Sequence, residues 1–342
     1  MDLRSYINSY PKTLTISPTH KCTAMCMECC FGCSPKIQHI LDHKHIKKYI
    51  DQAMAQFPSI ELFVLTGGEC FLLGKKLSKI IAHATSYSLM TRVVTNGFWA
   101  NTYDNALEKL SPIIKAGLTE INFSTGDNHQ QYVKIENIIN GTLAAYEQGI
   151  RSICISIESQ PNASFTSEQI KSNASLSPLI DEGSLKIIDA SWMPVKNKPA
   201  DSLEADCRKI VMKGVTKQPC RHMFNNITIN PYGQMLACCG LTVEYNKFLK
   251  LGSVEHFTMK ELYDSQFKDF FKFWLFVDGP EYIYEKVMKY RKIPNDFFVH
   301  ECAYCIELCK NPDNIIALNG ILEKELPNIL FRYKMRTSQL KI

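Results

Sequence analysis

Cys22-Thr-Ala-Met-Cys26-Met-Glu-Cys29, followed at once by Cys30 and Cys33, is the stretch whose reading decides the fold. A short apolar run, Thr13-Leu-Thr-Ile16, precedes it and reads as a strand, so three thiolates at a CxxxCxxC spacing fall on the loop leaving the first strand. Three cysteines on one loop can hold three corners of a cubane iron–sulfur cluster, for which thiolates are the usual ligands, and leave the fourth iron without a protein donor. An iron with an empty position can bind a small molecule and pass it an electron. The same cysteines with His20 as a fourth ligand could instead hold a structural zinc. In a chain with 14 cysteines some spacings also arise by chance.

Composition narrows the choice. The 342 residues are 45% hydrophobic, enough for one large domain and a smaller one. Met1 to Tyr10 mixes charge and polarity without an apolar stretch, so no secretory signal is read there. The richest apolar run, Phe270 to Val277, is interrupted by Lys272 and is far short of a membrane span. Many cysteines without a signal peptide point to metal or redox chemistry in a reducing cytoplasm and not to a disulfide framework. The net charge of +5 and pI near 8.4 fall short of a strongly basic nucleic-acid-binding domain. No solenoid-period repeat and no low-complexity tract stands out.

Taken in order, Ile46, Tyr49, Ile50, Ala53, Met54 and Phe57 recur at steps that give a helix one apolar face, closed by Pro58. Leu62-Phe-Val-Leu65 reads as a buried strand ending in Thr66-Gly67-Gly68-Glu69. The two glycines lack a Cβ, so the backbone can turn tightly and approach a ligand. Glu69 would then point into the site as an acceptor. Helices near 75–88, 102–115 and 131–147 alternate with strands near 90–95, 119–124, 151–157 and 185–190. About six such alternations argue for parallel βαβ units. Asn96, Ser124 to His129, and Glu158 all fall at the carboxyl ends of the expected strands, where barrels of this kind bind ligands.

The cysteine triad and the Gly67-Gly68-Glu69 segment, in order at the ends of successive strands, resemble the radical S-adenosylmethionine (SAM) superfamily. The resemblance implies an α/β fold, a partial (β/α)6 TIM-like barrel. It implies that Cys22, Cys26 and Cys29 ligate a [4Fe-4S] cluster whose open iron chelates SAM, and that Gly67, Gly68 and Glu69 bind the SAM amino group. Asn96, Ser124 and Glu158 are candidates to line the same pocket, though each could equally be an ordinary strand-end polar residue. Cys30 and Cys33 are left to apolar packing.

From about residue 201 the βα rhythm stops and cysteines return, at Cys207, Cys220, Cys238, Cys239, Cys302, Cys305 and Cys309. The domains are therefore read as 1–200, the barrel, and 201–342, a smaller cysteine-rich α+β unit. Ile227-Thr-Ile229 and Gln234 to Ala237 flank Asn230-Pro-Tyr-Gly233, a hairpin signal. Amphipathic stretches (Phe267, Phe270, Phe271, Trp274; Tyr284, Val287, Met288) read either as a cap or lid or as ordinary packing helices. A cysteine, a hairpin ending in cysteine and then CxxC resemble the SPASM and twitch extensions of radical SAM enzymes. That resemblance implies one auxiliary cluster on Cys220, Cys238, Cys302 and Cys305, with Cys309 or Cys239 as substitutes and a zinc knuckle as the structural alternative. Tyr232 stands where that pattern has Asp.

Successive side chains on an extended strand point to opposite faces, so Cys238 and Cys239 cannot easily serve one cluster. If Cys238 faces the cluster, Cys239 faces away and offers a thiol. This arrangement resembles the radical SAM epimerases of ribosomally synthesised peptides, in blocks from Cys22 to Pro35, Thr66 to Leu72, Asn96 to Trp99, Ser124 to Val133, Cys220, Gly233 to Cys239 and Cys302 to Cys305. The resemblance implies that Cys239 is the catalytic hydrogen donor for L-to-D conversion at Cα. It also implies an external electron donor such as flavodoxin or ferredoxin, with no nucleic-acid or membrane partner. The family's Ser-x-Asp-x-x-His motif reads Ser124-Thr-Gly-Asp127-Asn-His129, with the acid displaced by one position. Too little chain precedes residue 13 for an N-terminal leader-binding domain. The alternatives are a thioether or carbon–carbon cross-linking enzyme and a non-catalytic, metal-stabilised binding protein.

Overall fold

The computed structural model describes residues 3–27, 29–159, 162–191 and 217–339. Cys207 and the expected Trp192 to Pro194 exit lie outside the described residues. Two compact units emerge, one built on 12–191 with 228–233, the other on 3–11, 217–227 and 234–339. The segment before the first strand groups with the C-terminal unit, and the turn Asn230 to Gly233 groups with the barrel.

In the first unit, β1 (Thr13–Ile16), β2 (Leu62–Leu65), β3 (Met90–Thr95), β4 (Glu120–Thr125), β5 (Ser152–Ser159) and β6 (Leu185–Ser191) lie side by side in chain order. Every neighbouring pair is parallel. Helices α1 (His43–Gln56), α2 (Lys75–Thr85), α3 (Tyr103–Lys115), α4 (Asp127–Gln130), α5 (Ile135–Glu147), α6 (Ser167–Lys171) and α7 (Ser177–Asp181) fill the crossovers. Leu14, Ile16, Phe63, Leu65, Val93, Ile121, Phe123 and Ile155 are fully buried, as expected for parallel strands covered on both faces. Asp42 caps α1 by accepting from the Lys44 N–H at 2.8 Å, and Thr102 caps α3 through the Asn105 N–H. Parallel strands put all their carboxyl ends on one side, which brings Cys22, Glu69, Asn96, Ser124 and Glu158 to one rim.

β7 (Asn226–Ile229) begins in the second unit and ends in the first, and in the second unit β8 (Gln234–Leu236) pairs antiparallel with β9 (Lys250–Ser253). Helices α8 (Met259–Ser265), α9 (Phe270–Arg291), α10 (Glu301–Lys310) and α11 (Pro312–Gln339) follow. The apolar stretch that invites a reading as cap or lid is the core of this unit. Phe273, Trp274, Val277, Ile283 and Val287 of α9 are buried, as is Phe267 just before it, and burial that extends around a helix marks an interior one. Trp274 Nε1 donates to Asp278 Oδ2 at 2.9 Å, and Arg332 of α11 grips the same carboxylate through Nε (2.9 Å) and Nη2 (2.6 Å). That bidentate pair docks α11 on α9.

Gly279 interrupts α9 with φ +78°, just before Pro280. A Cβ there would stand 1.7 Å from the Gln218 carbonyl oxygen. Gly279→Ala should therefore lower the stability of the C-terminal unit by more than the ~1–3 kcal/mol of backbone strain alone. Urea unfolding followed at Trp274 checks it, and an unchanged midpoint would refute it.

Candidate active site and metal centres

The cysteine loop is held before the first thiol is reached. Past the end of β2, Gly68 N donates to Thr19 O at 2.8 Å and Glu69 N to Lys21 O at 3.0 Å. A Cβ on Gly67 (φ +109°) would lie 2.5 Å from Thr19 O, and one on Gly68 only 2.1 Å from Lys21 O. The glycines are thus required by the approach of the chain's own cysteine loop. The sequence reading expected the approach of a ligand.

Glu69 also differs from expectation. Its side chain is fully buried and does not stand open as an acceptor. Oε1 accepts from Phe71 N at 3.0 Å, Oε2 accepts from Asn96 N at 2.8 Å, and Thr95 Oγ1 donates to both oxygens. Four contacts from these three groups, with the Thr95 hydroxyl sharing its one hydrogen between both oxygens, engage both carboxylate oxygens. Burial pushes the Glu69 carboxyl up to about 7 against the pull of these donors. Asn96, buried, continues the chain of contacts: its Nδ2 donates to Thr23 Oγ1 at 3.0 Å and to Cys22 Sγ at 3.5 Å.

Cys22, Cys26 and Cys33 are buried together with Ala24, and Cys29 and Phe31 pack against them. Burial raises the Cys22 thiol to about 11 and the Cys26 thiol to about 12. Cys29 is lowered, chiefly because the Cys33 thiol donates to it, with help from the Cys33 and Phe31 N–H groups and from nearby His129. Cys33, the donor, is raised. Cys33 is therefore a hydrogen-bonding neighbour of the triad and more than apolar filler. Cys30 is half-buried.

Across the rim, Glu158 is buried at the end of β5; Oε2 meets His129 Nδ1 at 2.9 Å and Oε1 accepts from Asn128 N. Gly126 (φ +135°) makes room, since a Cβ there would overlap Glu158 Cγ at 1.9 Å. Tyr132 Oη donates to Met25 O at 2.7 Å, tying this segment to the cysteine loop. The His129–Glu158 pair and the Tyr132 tie escaped the sequence reading; the six-residue Ser124-to-His129 motif was the available signal. Asp127 accepts from Ser164 N (2.7 Å) and Phe165 N (2.9 Å), so it holds the loop after β5. Ser124 is half-buried and pairs in register with Ser156. Tyr232 stacks on His39 (5.3 Å between centroids) and edge-on to His20 (5.8 Å), which explains an aromatic residue in place of Asp at the turn.

In the C-terminal unit, Cys220, Cys238, Cys302 and Cys305 line one cavity with Met223, Leu249, Leu275 and Pro280. Cys302 and Cys305 lie in the first turns of α10, capped by His300, whose Nδ1 accepts from Cys302 N at 3.1 Å. A Cβ on Gly240 would stand 3.1 Å from Cys302 Sγ and 3.4 Å from Cys238 Sγ. Burial raises Cys220 to about 11 and Cys302 to about 12, and it raises Cys238 and Cys305 as well. Asn246 Nδ2 donates to Cys305 Sγ at 3.8 Å. Cys309, one turn beyond Cys305, faces Asn246 and Lys272 instead of the cavity. Cys239 is not among the cavity's lining residues, but its Sγ lies 3.4 Å from Nδ1 of His222, which does line it. Among the described residues no three His, Cys, Asp or Glu side chains are arranged to hold one metal ion. Cys238 and Cys305 are buried and Cys220 and Cys302 half-buried, with Gly240 where a Cβ would crowd two of them, a set of soft donors of the kind that ligate a metal or a thiolate-held cluster.

The chain has the parallel strand series and the three-cysteine loop after its first strand that the resemblance to radical SAM proteins implies. No protein-family model matches it. The putative peptide biosynthesis protein YydG of Bacillus subtilis (strain 168) is 27% identical over 131 residues, a match that spans 38% of this chain and 41% of that protein. Among solved structures, native anSMEcpe with bound AdoMet superposes with a TM-score of 0.53 at 13% identity, over 95% of this chain and 100% of that one. Native anSMEcpe with bound AdoMet and Cp18Cys peptide gives 0.51 at 13% identity, over 95% and 99%. Among the described residues no helix is long and apolar enough to cross a membrane.

Two predictions follow from this geometry. After anaerobic reconstitution, Cys22→Ala, Cys26→Ala and Cys29→Ala should each lose about four irons, whereas Cys33→Ala should keep full loading; equal loss in Cys33→Ala would make it a ligand. In the iron-free chain, the Glu69 pKa is raised on folding from 4.5 to about 7. Its contribution is complete below pH 4.5 and is lost as pH rises through 7, so the unfolding free energy should fall across that window. Glu69→Gln should remove that slope, as measured by urea midpoints at pH 4.5 and 7.5.

Proposed function

We propose that this chain is a cytoplasmic radical SAM enzyme that converts an L-residue of a ribosomally made peptide to its D-form. The observation carrying the reading is the three-cysteine loop pinned beside Gly67, Gly68 and Asn96 at the carboxyl ends of β1 to β3. Cys22, Cys26 and Cys29 would hold one [4Fe-4S] cluster; Cys220, Cys238, Cys302 and Cys305 would hold an auxiliary one. Bound there, the first cluster supplies the electron that cleaves SAM into methionine and a 5′-deoxyadenosyl radical, which removes a hydrogen atom from the peptide.

The chain's own residues orient and finish the reaction. The glycine pair fixes the cysteine loop, and Asn96, Ser124 and Glu158 line the rim where SAM would lie. Cys239 gives its S–H hydrogen atom to the opposite face of the Cα-centred radical, which inverts the centre. One electron from an external donor such as flavodoxin or ferredoxin, with one proton, then restores the thiol. His222 stands 3.4 Å away to relay that proton. The split of the adjacent pair supports this role: Cys238 lines the thiol cavity and Cys239 does not. The 27% identity to a putative peptide biosynthesis protein, and a peptide bound to the similarly folded anSMEcpe, support a peptide substrate.

The product mass separates epimerisation from thioether or carbon–carbon cross-linking. In D₂O the product should gain one deuterium and no other mass, whereas a cross-link removes two hydrogens. Cys239→Ala should abolish D-residue formation while SAM is still cleaved; D-residues surviving in that variant would remove Cys239 as the donor.

A further inference from the structure

Two asparagines, in different units, are built alike. In each, the side-chain oxygen is fixed by the backbone N–H two residues on: Phe98 N donates to Asn96 Oδ1 at 3.1 Å, and Phe248 N to Asn246 Oδ1 at 3.1 Å. Both occur as Asn-x-Phe, and both side chains are buried, Asn96 6% and Asn246 0% exposed. Because the oxygen is committed to an N–H, the amide nitrogen must face the other way. It faces sulfur each time: Asn96 Nδ2 to Cys22 Sγ at 3.5 Å, Asn246 Nδ2 to Cys305 Sγ at 3.8 Å. An Asx turn otherwise serves only the backbone. Here it leaves a rigid, water-shielded amide that reaches one cysteine of each thiol group, while Asn96 also meets Thr23 Oγ1 and Asn246 also meets the Cys309 thiol.

We propose that Asn96 and Asn246 are paired redox-tuning residues, each donating a hydrogen bond to one thiolate of its own cluster. This rests on the two-cluster reading above. A donor to a cluster sulfur stabilises the added negative charge of the reduced state and so raises the potential. The low local dielectric of a buried site strengthens the bond. Neither residue ligates iron, and Asn246 lies in the C-terminal unit among the auxiliary thiols, so its action is on electron transfer. Ser at either position keeps an acceptor for the N–H two residues on but is too short to reach the sulfur. Leu keeps the shape and loses both bonds.

The test is an anaerobic redox titration of the reconstituted full chain, with each cluster's midpoint read by electron paramagnetic resonance. Asn246→Ser and Asn246→Leu should each lower the auxiliary midpoint by about 59 mV, a tenfold shift in its one-electron equilibrium, and leave the SAM-binding cluster unchanged. Asn96→Ser should do the converse. Two loaded clusters whose midpoints do not move, or that move together, would overturn the tuning role while leaving the two-cluster reading standing. Loading of only about four irons in the unsubstituted chain would instead overturn that reading, and the role of Asn246 with it.

Discussion

Two backbone hydrogen bonds, Gly68 N to Thr19 O and Glu69 N to Lys21 O, hold the candidate active site in register. They continue the β1–β2 pairing beyond the strands and into the loop that carries the cysteines. Side chains at 67 or 68 would overlap that loop, so the pairing is available only to glycine. From there the constraint passes sideways. The Glu69 carboxylate binds the Asn96 N–H and Thr95 at the end of β3, and the Asn96 amide returns to Cys22 and Thr23. The first thiol is thus fixed by three strand ends at once, and a shift in any of them reaches it.

That closed circuit explains why a carboxylate is buried where burial is costly. Desolvation alone favours the neutral acid, and the donors from Phe71, Thr95 and Asn96 oppose it. A fully solvated Glu69 would be easier to ionise but would leave the Phe71 and Asn96 N–H groups without their partner. The same logic recurs at Glu158, which serves the Asn128 N–H and His129 and so sets the segment that reaches the cysteine loop through Tyr132.

The barrel was legible because its signals are local. β3 (Met90–Thr95) falls where the periodicity predicts it, and β1 to β6 pair in chain order. The cysteine triad and Gly67-Gly68-Glu69 are short motifs whose spacing survives without knowledge of contacts. What the glycines and Glu69 touch was not legible, since Thr19, Lys21, Thr95 and Asn96 come close only in the folded chain. The C-terminal unit was harder. An apolar stripe on 267–288 reads as amphipathic, yet Gly279 bends the helix and burial extends around it, a consequence of tertiary packing that periodicity cannot register. Asn246 carried no signal at all: the sulfur its amide meets belongs to Cys305, 59 residues away.

The thiols of the C-terminal unit bear on stability as well as chemistry. Cys220, Cys238, Cys302 and Cys305 are all raised by burial, so in the metal-free fold each is held as a neutral thiol. A ligating thiolate must lose that proton, and metal binding therefore releases protons and becomes part of the folding free energy. The α10 N-terminus favours negative charge on Cys302 and Cys305, while the apolar wall of Met223, Leu249, Leu275 and Pro280 disfavours it unless a metal shares the charge. Because the same cavity joins the segment at Cys220, the end of β8 and the start of α10, a cluster seated there would lock three separated parts of the unit to one another. The core built on α9 and the thiol cavity would then be two halves of one stabilising arrangement, the first supplied by apolar burial and the second by coordination.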